Sequence, residues 1–519
     1  MADPATHGGG EVKRIDTHAA AVFLVGERAY KVKRAVRFPF LDYSTLEKRK
    51  AACDAELAVN RAFAPDLYRR VVAITPGPDG RISLGGAGEP VEWAVEMRRF
   101  DESATLDHLA DRGELDPAVA DELARIVAAA HAKAPAAEAA EWVRSLESYV
   151  EQNDAAFREK ADLFDPGDAE RLTRASRAAL ERARPLLLAR GGRGLIRRGH
   201  GDLHLGNIAL IDGKPVPFDA IEFDPRIAAG DVLYDLAFLL MDLVERGLDA
   251  AANLVLNRYL GETKRLDDLD ALAALPLFLS LRAAIRAKVT AAKLDVSGTD
   301  RAATAKAAQT YFRLALRLIA PAAPTLAAIG GLSGTGKSAL ARALSPALPP
   351  APGAVVLRSD VERKSMFGVG ETERLPADAY APGVTQRVYA AIAEKARRVT
   401  AAGHSAIVDA VFARSDERAH IAAIAGASGV AFRPLFLTAA LDVRIARIGA
   451  RTRDASDADA DIARQQQGYD LTGLDWPTVD ASGTCEQTLA AVRAAVRPTD
   501  EAADPSDTAA GCIRGAPRA

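Results

Sequence analysis

The chain has 519 residues, of which 49% are hydrophobic and 26% charged, with a formal net charge of −3. That length exceeds one ordinary core and calls for two domains or more, while the near-neutral balance gives no broad electrostatic reason to bind nucleic acid or membrane. Cys53, Cys485 and Cys512 lie far apart without metal-ligand spacing. The start MADPATHGGGEVKRID has no apolar signal stretch, and the runs Ala271 to Leu281 and Leu236 to Met241 are too short to span a bilayer. A cytoplasmic location without membrane insertion is expected.

In chain order, Val22 to Val25 and Ala29 to Arg34 flank the turn Gly26-Glu27-Arg28 and predict a β-hairpin. Ser44-Thr-Leu-Glu47 predicts a capping box that opens a long helix toward Ala62. Val71 to Thr75, Arg81 to Leu84 and Val91 to Met97 add strands, and Thr105 to about Ala189 has a helical pattern. Short strands return from Ile208 to Phe223 around the turn signal Asp212-Gly213. Helices then run to Ala320, where Pro321-Ala-Ala-Pro324 marks a domain boundary that few contacts should cross. Beyond it the apolar runs Leu326 to Ile329, Ala354 to Leu357, Ala406 to Val408 and Phe432 to Phe436 alternate with helices. That alternation predicts a parallel sheet wrapped by helices. The residues after about Val496 have the composition of a disordered tail.

Two segments carry chemistry. His200 to Ile208 reads HGDLHLGNI and supplies Asp202 and, further along, Asn207. A carboxylate at an attacking hydroxyl, oxygen ligands for Mg²⁺ and a cation on nucleotide phosphates are what phosphoryl transfer needs. His200 and His204 also stand at the i, i+4 spacing of a metal pair, but no third ligand is spaced nearby, which favours a role in shaping the loop. The segment resembles the catalytic loop of aminoglycoside phosphotransferases and related kinase-like enzymes. That resemblance implies Asp202 as catalytic base, with Asn207 and Asp219 as metal ligands, although Glu222 and Asp224 compete with Asp219. It also implies that Asp235 braces the loop and that Lys31 or Lys33 contacts phosphate. Glu56 would then be the lysine's partner, and Met97 would lie at the nucleotide hinge.

The second segment, Gly331 to Ser338, reads GLSGTGKS between an apolar run and a helix. Gly331, Gly334, Thr335 and Gly336 let backbone amides surround phosphate oxygens, Lys337 reaches the β- and γ-phosphates, and Ser338 can ligate Mg²⁺. Downstream residues resemble small P-loop kinases of the polynucleotide-kinase, gluconate-kinase and zeta-toxin type. The resemblance implies Asp360 as the base at the acceptor hydroxyl, Arg363 as an acceptor grip and Asp409 as the Walker B carboxylate. Arg447, Arg451 and Arg453 would form a lid, with Arg447 on the nucleotide and Arg451 on the transferring phosphoryl group.

The whole chain resembles a bacterial group in which an aminoglycoside-phosphotransferase-like domain is fused to a C-terminal P-loop ATPase. This implies a bilobal α+β kinase-like domain over 10–320, with an N-lobe of about 10–100 and a C-lobe of about 101–320. An α/β P-loop kinase domain over 325–497 and a tail over 498–519 would follow. Two ATP- and Mg²⁺-dependent transfers to hydroxyls of small polar metabolites are expected, such as a sugar, amino sugar or aminoglycoside. A nucleic-acid 5′-hydroxyl or nucleotide-sugar kinase in the C-terminal half, and an ATP-sensing regulator in either half, are the alternatives.

Overall fold

The computed structural model describes residues 1–38, 41–77, 81–295, 300–451 and 454–496. Arg453 of the expected lid and the tail over 498–519 lie outside the described residues. The first hundred residues build a six-stranded antiparallel sheet in the order Val12–Asp16, Ala20–Val25, Arg28–Lys33, Glu92–Arg98, Tyr68–Pro76 and Ile82–Leu84. The strand Val12–Asp16 was not anticipated. It lies at an edge and is mostly exposed, so its sequence VKRID lacks apolar alternation.

Helix Leu46–Asn60 packs on this sheet. Its N-cap is Thr45, whose hydroxyl accepts the Lys48 N–H at 3.3 Å. The expected box headed by Ser44 is therefore not formed, because Ser44 turns its hydroxyl to the Asp42 carboxylate at 2.6 Å. A charged acceptor is the stronger partner.

Seven long helices, Pro117–Lys133, Ala139–Glu159, Pro166–Gly192, Val232–Glu245, Asp249–Thr263, Leu275–Ala292 and Arg301–Ile319, make the second lobe. Helix Val232–Glu245 is buried at every position from Val232 to Val244 and forms its centre. Hairpin Ile208–Ile211 and Lys214–Pro217 turns at Asp212-Gly213 as expected, with both residues at positive φ. Arg98 reaches Asp212 at 2.6 Å and ties the two lobes together.

The C-terminal half is a five-stranded parallel sheet in the order Val355–Arg358, Ala406–Asp409, Thr325–Gly331, Ala431–Thr438 and Thr478–Asp480. Helices Lys337–Leu344, Ser359–Met366, Pro382–Ala401, Ser415–Ser428 and Leu441–Gly449 connect and flank the strands, the arrangement a buried parallel sheet requires. Contacts between the halves are extensive rather than few. Apolar packing continues from the second lobe into Leu326, Ala328 and Val355. Arg258 pairs with Glu371 and Arg398 with Asp270, both at 2.8 Å. Among the described residues no helix is long and apolar enough to cross a membrane.

Candidate active sites

The first site lies where the two N-terminal lobes meet. Lys31, on strand Arg28–Lys33, places its Nζ 2.7 Å from Glu56 and 2.5 Å from Asp219. Burial alone would lower the Lys31 pKa, but Asp219 and Glu56 outweigh it and hold the ammonium charged, well above its usual range. Lys33 is buried deeper, pairing with Glu56 at 2.6 Å and with Glu222. Tyr43 also donates to Glu222 at 2.7 Å. Of the two lysines, Lys31 is therefore the one that meets Asp219. Glu222 is spent on Lys33 and Tyr43, while Asp224 caps helix Pro225–Ala228 and pairs with Arg226 at 2.9 Å.

Asp219 sits in the left-handed region at φ 61°, a conformation that Asp tolerates better than most residues. Two partners hold it there. Tyr68 Oη accepts the Asp219 N–H at 3.1 Å, and Asn60 Oδ1 accepts the Ala220 N–H at 2.8 Å. Asn207 is linked to this segment through its backbone carbonyl, which accepts the Phe218 N–H at 2.9 Å. Its side-chain amide donates to Asp202 Oδ2 at 2.9 Å. Burial would push the Asp202 pKa up, yet His204, His200 and Arg286 together hold it down at about 2. The carboxylate is thus ionised at neutral pH and able to accept a proton at its free edge.

Helix Val232–Glu245 braces the loop at both ends. Asp235 accepts the His200 and Gly201 N–H groups at 2.9 and 2.8 Å, and pairs with His131 at 3.0 Å. Asp242, two turns on, accepts the Leu205 N–H at 2.9 Å. Gly201 adopts φ 82°, and a Cβ there would stand 3.1 Å from Ala228 Cα. The histidines point apart: His200 Nε2 meets the Phe218 carbonyl, and His204 Nδ1 accepts the Gly206 N–H. They do not form a metal pair. Met97, next to last on strand Glu92–Arg98, packs with Phe100 and Phe218 against one apolar cluster.

The second site is a cavity of about 230 Å³ lined by Lys337, Ser338, Asp360, Asp409 and Arg451, together with Arg342, Arg358, Asp454 and Ser456. Strand Thr325–Gly331 leads into the loop, where Gly331, Gly334 and Gly336 all have positive φ. A Cβ at Gly334 would come within 2.6 Å of the Arg444 carbonyl, so the loop can close only around glycine. Thr335 is buried, its hydroxyl donating to the Leu332 carbonyl at 2.8 Å; its side chain shapes the loop instead of lining the cavity. Gln466 accepts the Ser333 N–H at 2.7 Å, and Arg444 donates to the Ser333 carbonyl at 2.8 Å.

Ser338 Oγ donates to Asp409 at 2.5 Å, and Arg358 lies 3.4 Å from both Asp409 and Asp454. Burial, and then the neighbouring Asp409 charge, raise the Asp360 pKa. Burial lowers that of Lys337, which donates to the Leu332 carbonyl at 3.1 Å. The Arg451 Nη1 group is buried and unpartnered, as an atom reserved for a ligand would be. Arg447 stands beside the loop, with its Nη1 3.9 Å from a Cβ placed at Gly336, but its other nitrogen is given to the Gly483 carbonyl.

Arg363 departs from expectation. It is buried, donates to the Ala379 carbonyl at 2.7 Å, and stacks on Tyr380 with 4.8 Å to the ring centroid. The helix turns it inward, so it anchors the following segment and does not line the cavity.

Asp242, His131, Asn60, Tyr68 and Arg358 were not anticipated. The one local signal was the repeated acid in DLAFLLMDL, whose two-turn spacing puts Asp235 and Asp242 on the same helix face.

An aspartate facing a lysine–glutamate pair beside the loop of Asp202 and Asn207, and a glycine loop facing two aspartates, are features of a tandem phosphoryl-transfer protein. The chain is an ATP-dependent kinase that belongs to the phosphotransferase enzyme family, which matches residues 15–275, with an AAA domain matched over 326–471. Uncharacterised proteins of Mycobacterium tuberculosis and Mycobacterium bovis are 30% identical over 485 residues, covering 91% of this chain and 93% of theirs. A solved gluconokinase from Sinorhizobium meliloti is 21% identical and covers 33% of this chain and 90% of its own, with a TM-score of 0.24. A choline/ethanolamine kinase family protein from Mesorhizobium loti is 13% identical, covering 60% and 92%, with a TM-score of 0.36.

Proposed function

We propose that each domain transfers the γ-phosphoryl group of ATP to a hydroxyl of a small polar metabolite. In the first domain Asp202 takes the acceptor proton, Lys31 contacts the nucleotide phosphates, and Asn207 with Asp219 supplies oxygen ligands to Mg²⁺. In the second, Lys337 and the loop amides hold the phosphates, Ser338 and Asp409 hold the metal, Asp360 takes the proton and Arg451 neutralises the transferring group. The donors suit a hard cation, since all are carboxylate, amide or hydroxyl oxygens.

The observation that carries this reading is the second cavity. Asp360, with its pKa raised, lines the same small space as Lys337, Ser338, Asp409 and the unpartnered Arg451. A proton acceptor beside a phosphate cradle is arranged for transfer to a bound hydroxyl.

The test is a screen of ATP consumption across sugars, amino sugars, aminoglycosides, nucleosides and oligonucleotides, with Asp202→Asn and Asp360→Asn run beside the wild type. Each variant should lose a different acceptor while retaining ATP binding. Wild-type phosphorylation by both variants would overturn the two-base reading, and a preference for oligonucleotides would move the second domain to nucleic-acid ends.

A further inference from the structure

Strand Val355–Arg358 is the outer strand of the parallel sheet, so one side of its backbone has no neighbouring strand. Its inner side is paired in the ordinary way, with the Val355 N–H donating to the Ser405 carbonyl at 2.9 Å. The outer side is met by helix Asp249–Thr263 of the kinase-like domain. Asn257 Oδ1 accepts the Val356 N–H at 2.7 Å, and Asn257 Nδ2 donates to the Ala354 carbonyl at 3.1 Å. In a parallel ladder, one residue of a neighbouring strand makes just these two bonds, to the N–H and C=O groups that flank its partner. The side-chain amide of Asn257 therefore stands in for a missing strand.

Asn253, one turn earlier, adds a second donor to the Ala354 carbonyl at 3.0 Å and accepts Ser345 Oγ at 2.7 Å. Asn253 is buried and Asn257 half-buried. The strand they hold runs directly into Arg358 and Asp360, both of which line the second cavity. Of the polar groups in the junction, these amides act on backbone that leads straight to chemistry.

We propose that Asn257, supported by Asn253, is a positioning residue for the second active site. The kinase-like domain supplies the edge that fixes strand Val355–Arg358, and through it sets Arg358 and Asp360 at the phosphate loop. The second domain is then a complete enzyme only when docked on the first. This rests on the reading of Asp360 as the base of the second domain.

The experiment uses the full-length chain with the first site silenced by Asp202→Asn. Asn257→Leu keeps the volume and removes both amide bonds. Amide hydrogen exchange of residues 354–360 should quicken by about tenfold, while strand Thr325–Gly331 keeps its protection. ATP turnover at the second site, with an acceptor from the screen or with water, should fall by about tenfold or more. The KM for ATP should change less than twofold, because the phosphate loop itself is untouched. Asn257→Gln, which restores an amide, should recover part of the turnover.

If Asn257→Leu does not fold, Asn257→Ser is measured in the same way. Unchanged exchange at Val356 in a folded variant, or unchanged turnover with accelerated exchange, overturns the proposal. Asp360→Asn run alongside separates the two ideas. Wild-type turnover in that variant removes Asp360 as base, while the exchange data still decide whether Asn257 holds the strand.

Discussion

Asp235 is the test of how the first catalytic loop is held. Its buried carboxylate accepts two backbone amides, from His200 and Gly201, and pairs with His131. Asp235→Ala strands those donors where little water reaches them. Each unsatisfied group costs about 1–3 kcal/mol, and His131 loses its partner as well. After local relaxation the expected loss is about 3–5 kcal/mol, a large part of an ordinary domain's total of about 5–15 kcal/mol. Asp235→Asn keeps one acceptor and should lose about half as much.

Urea unfolding followed by tryptophan fluorescence reads the loss. A Trp476→Phe background removes the tryptophan of the C-terminal half and leaves Trp93 and Trp142, the latter packed 5.7 Å from Tyr234 and 5.9 Å from Phe278 between ring centroids. Burial would raise the Asp235 pKa, but the hydrogen bond to His131, with Arg282 nearby, holds it well below the usual range. Its stabilisation is therefore full above about pH 4 and drains as pH falls through the folded value. The variant should lack that acid slope. An Asp235→Ala protein with the wild-type urea midpoint, or with the same acid slope, would refute the brace.

Other outcomes follow from the same geometry. Lys31→Ala should weaken ATP binding to the first site with little change in melting temperature, while Lys33→Ala should mainly destabilise the N-lobe by leaving Glu222 buried without its cation and Glu56 with Lys31 alone; calorimetric titration and thermal melts separate the two. Lys337→Ala should abolish ATP binding at the second site, whereas Arg451→Ala should leave binding within a few fold and lower kcat by about 100-fold, as steady-state kinetics would report. Burial lowers the His404 pKa to about 4, so the folded protein resists a proton that the unfolded chain accepts near 6.5. Stability is then complete above pH 6.5 and falls by about 3 kcal/mol as pH drops toward 4. A His404→Gln protein that keeps this pH dependence in urea melts would refute the assignment. Because Asp360 is raised above its ordinary value by burial and Asp409, the acid limb of the second site's kcat/KM profile should lie above the usual aspartate range and vanish in Asp360→Asn.

Contiguous motifs were readable from sequence because their geometry is local. GLSGTGKS closes on itself through its own glycines, and Asp202 with Asn207 occupies a single loop, so both appear where the residues alone placed them. Partners contributed from a distance were not readable. Nothing near Asp219 announces that Tyr68 and Asn60 hold its backbone, and nothing near Asp360 announces that Asn257 supports the strand before it. Lys31 and Lys33 share a strand face, and only the third dimension shows which one meets Asp219. Arg363 misled for the converse reason: an arginine one turn into a helix after the proposed base Asp360 has the expected spacing, but the bend of the following segment offers it the Ala379 carbonyl and the Tyr380 ring.

The contact between Lys31 and Asp219 has its counterpart in the contact between Ser338 and Asp409. In the first site an ammonium and a carboxylate satisfy each other, and in the second a hydroxyl donates to a carboxylate. On the roles proposed for Asp219 and Lys31, a divalent cation arriving alone at the first site would have to displace an ammonium from its carboxylate, and a phosphate arriving alone would have to draw that ammonium away. When both arrive together, one exchange serves both, since the carboxylate passes to the cation and the ammonium to the phosphate. Metal and nucleotide are thereby thermodynamically linked, each raising the affinity for the other by the same factor.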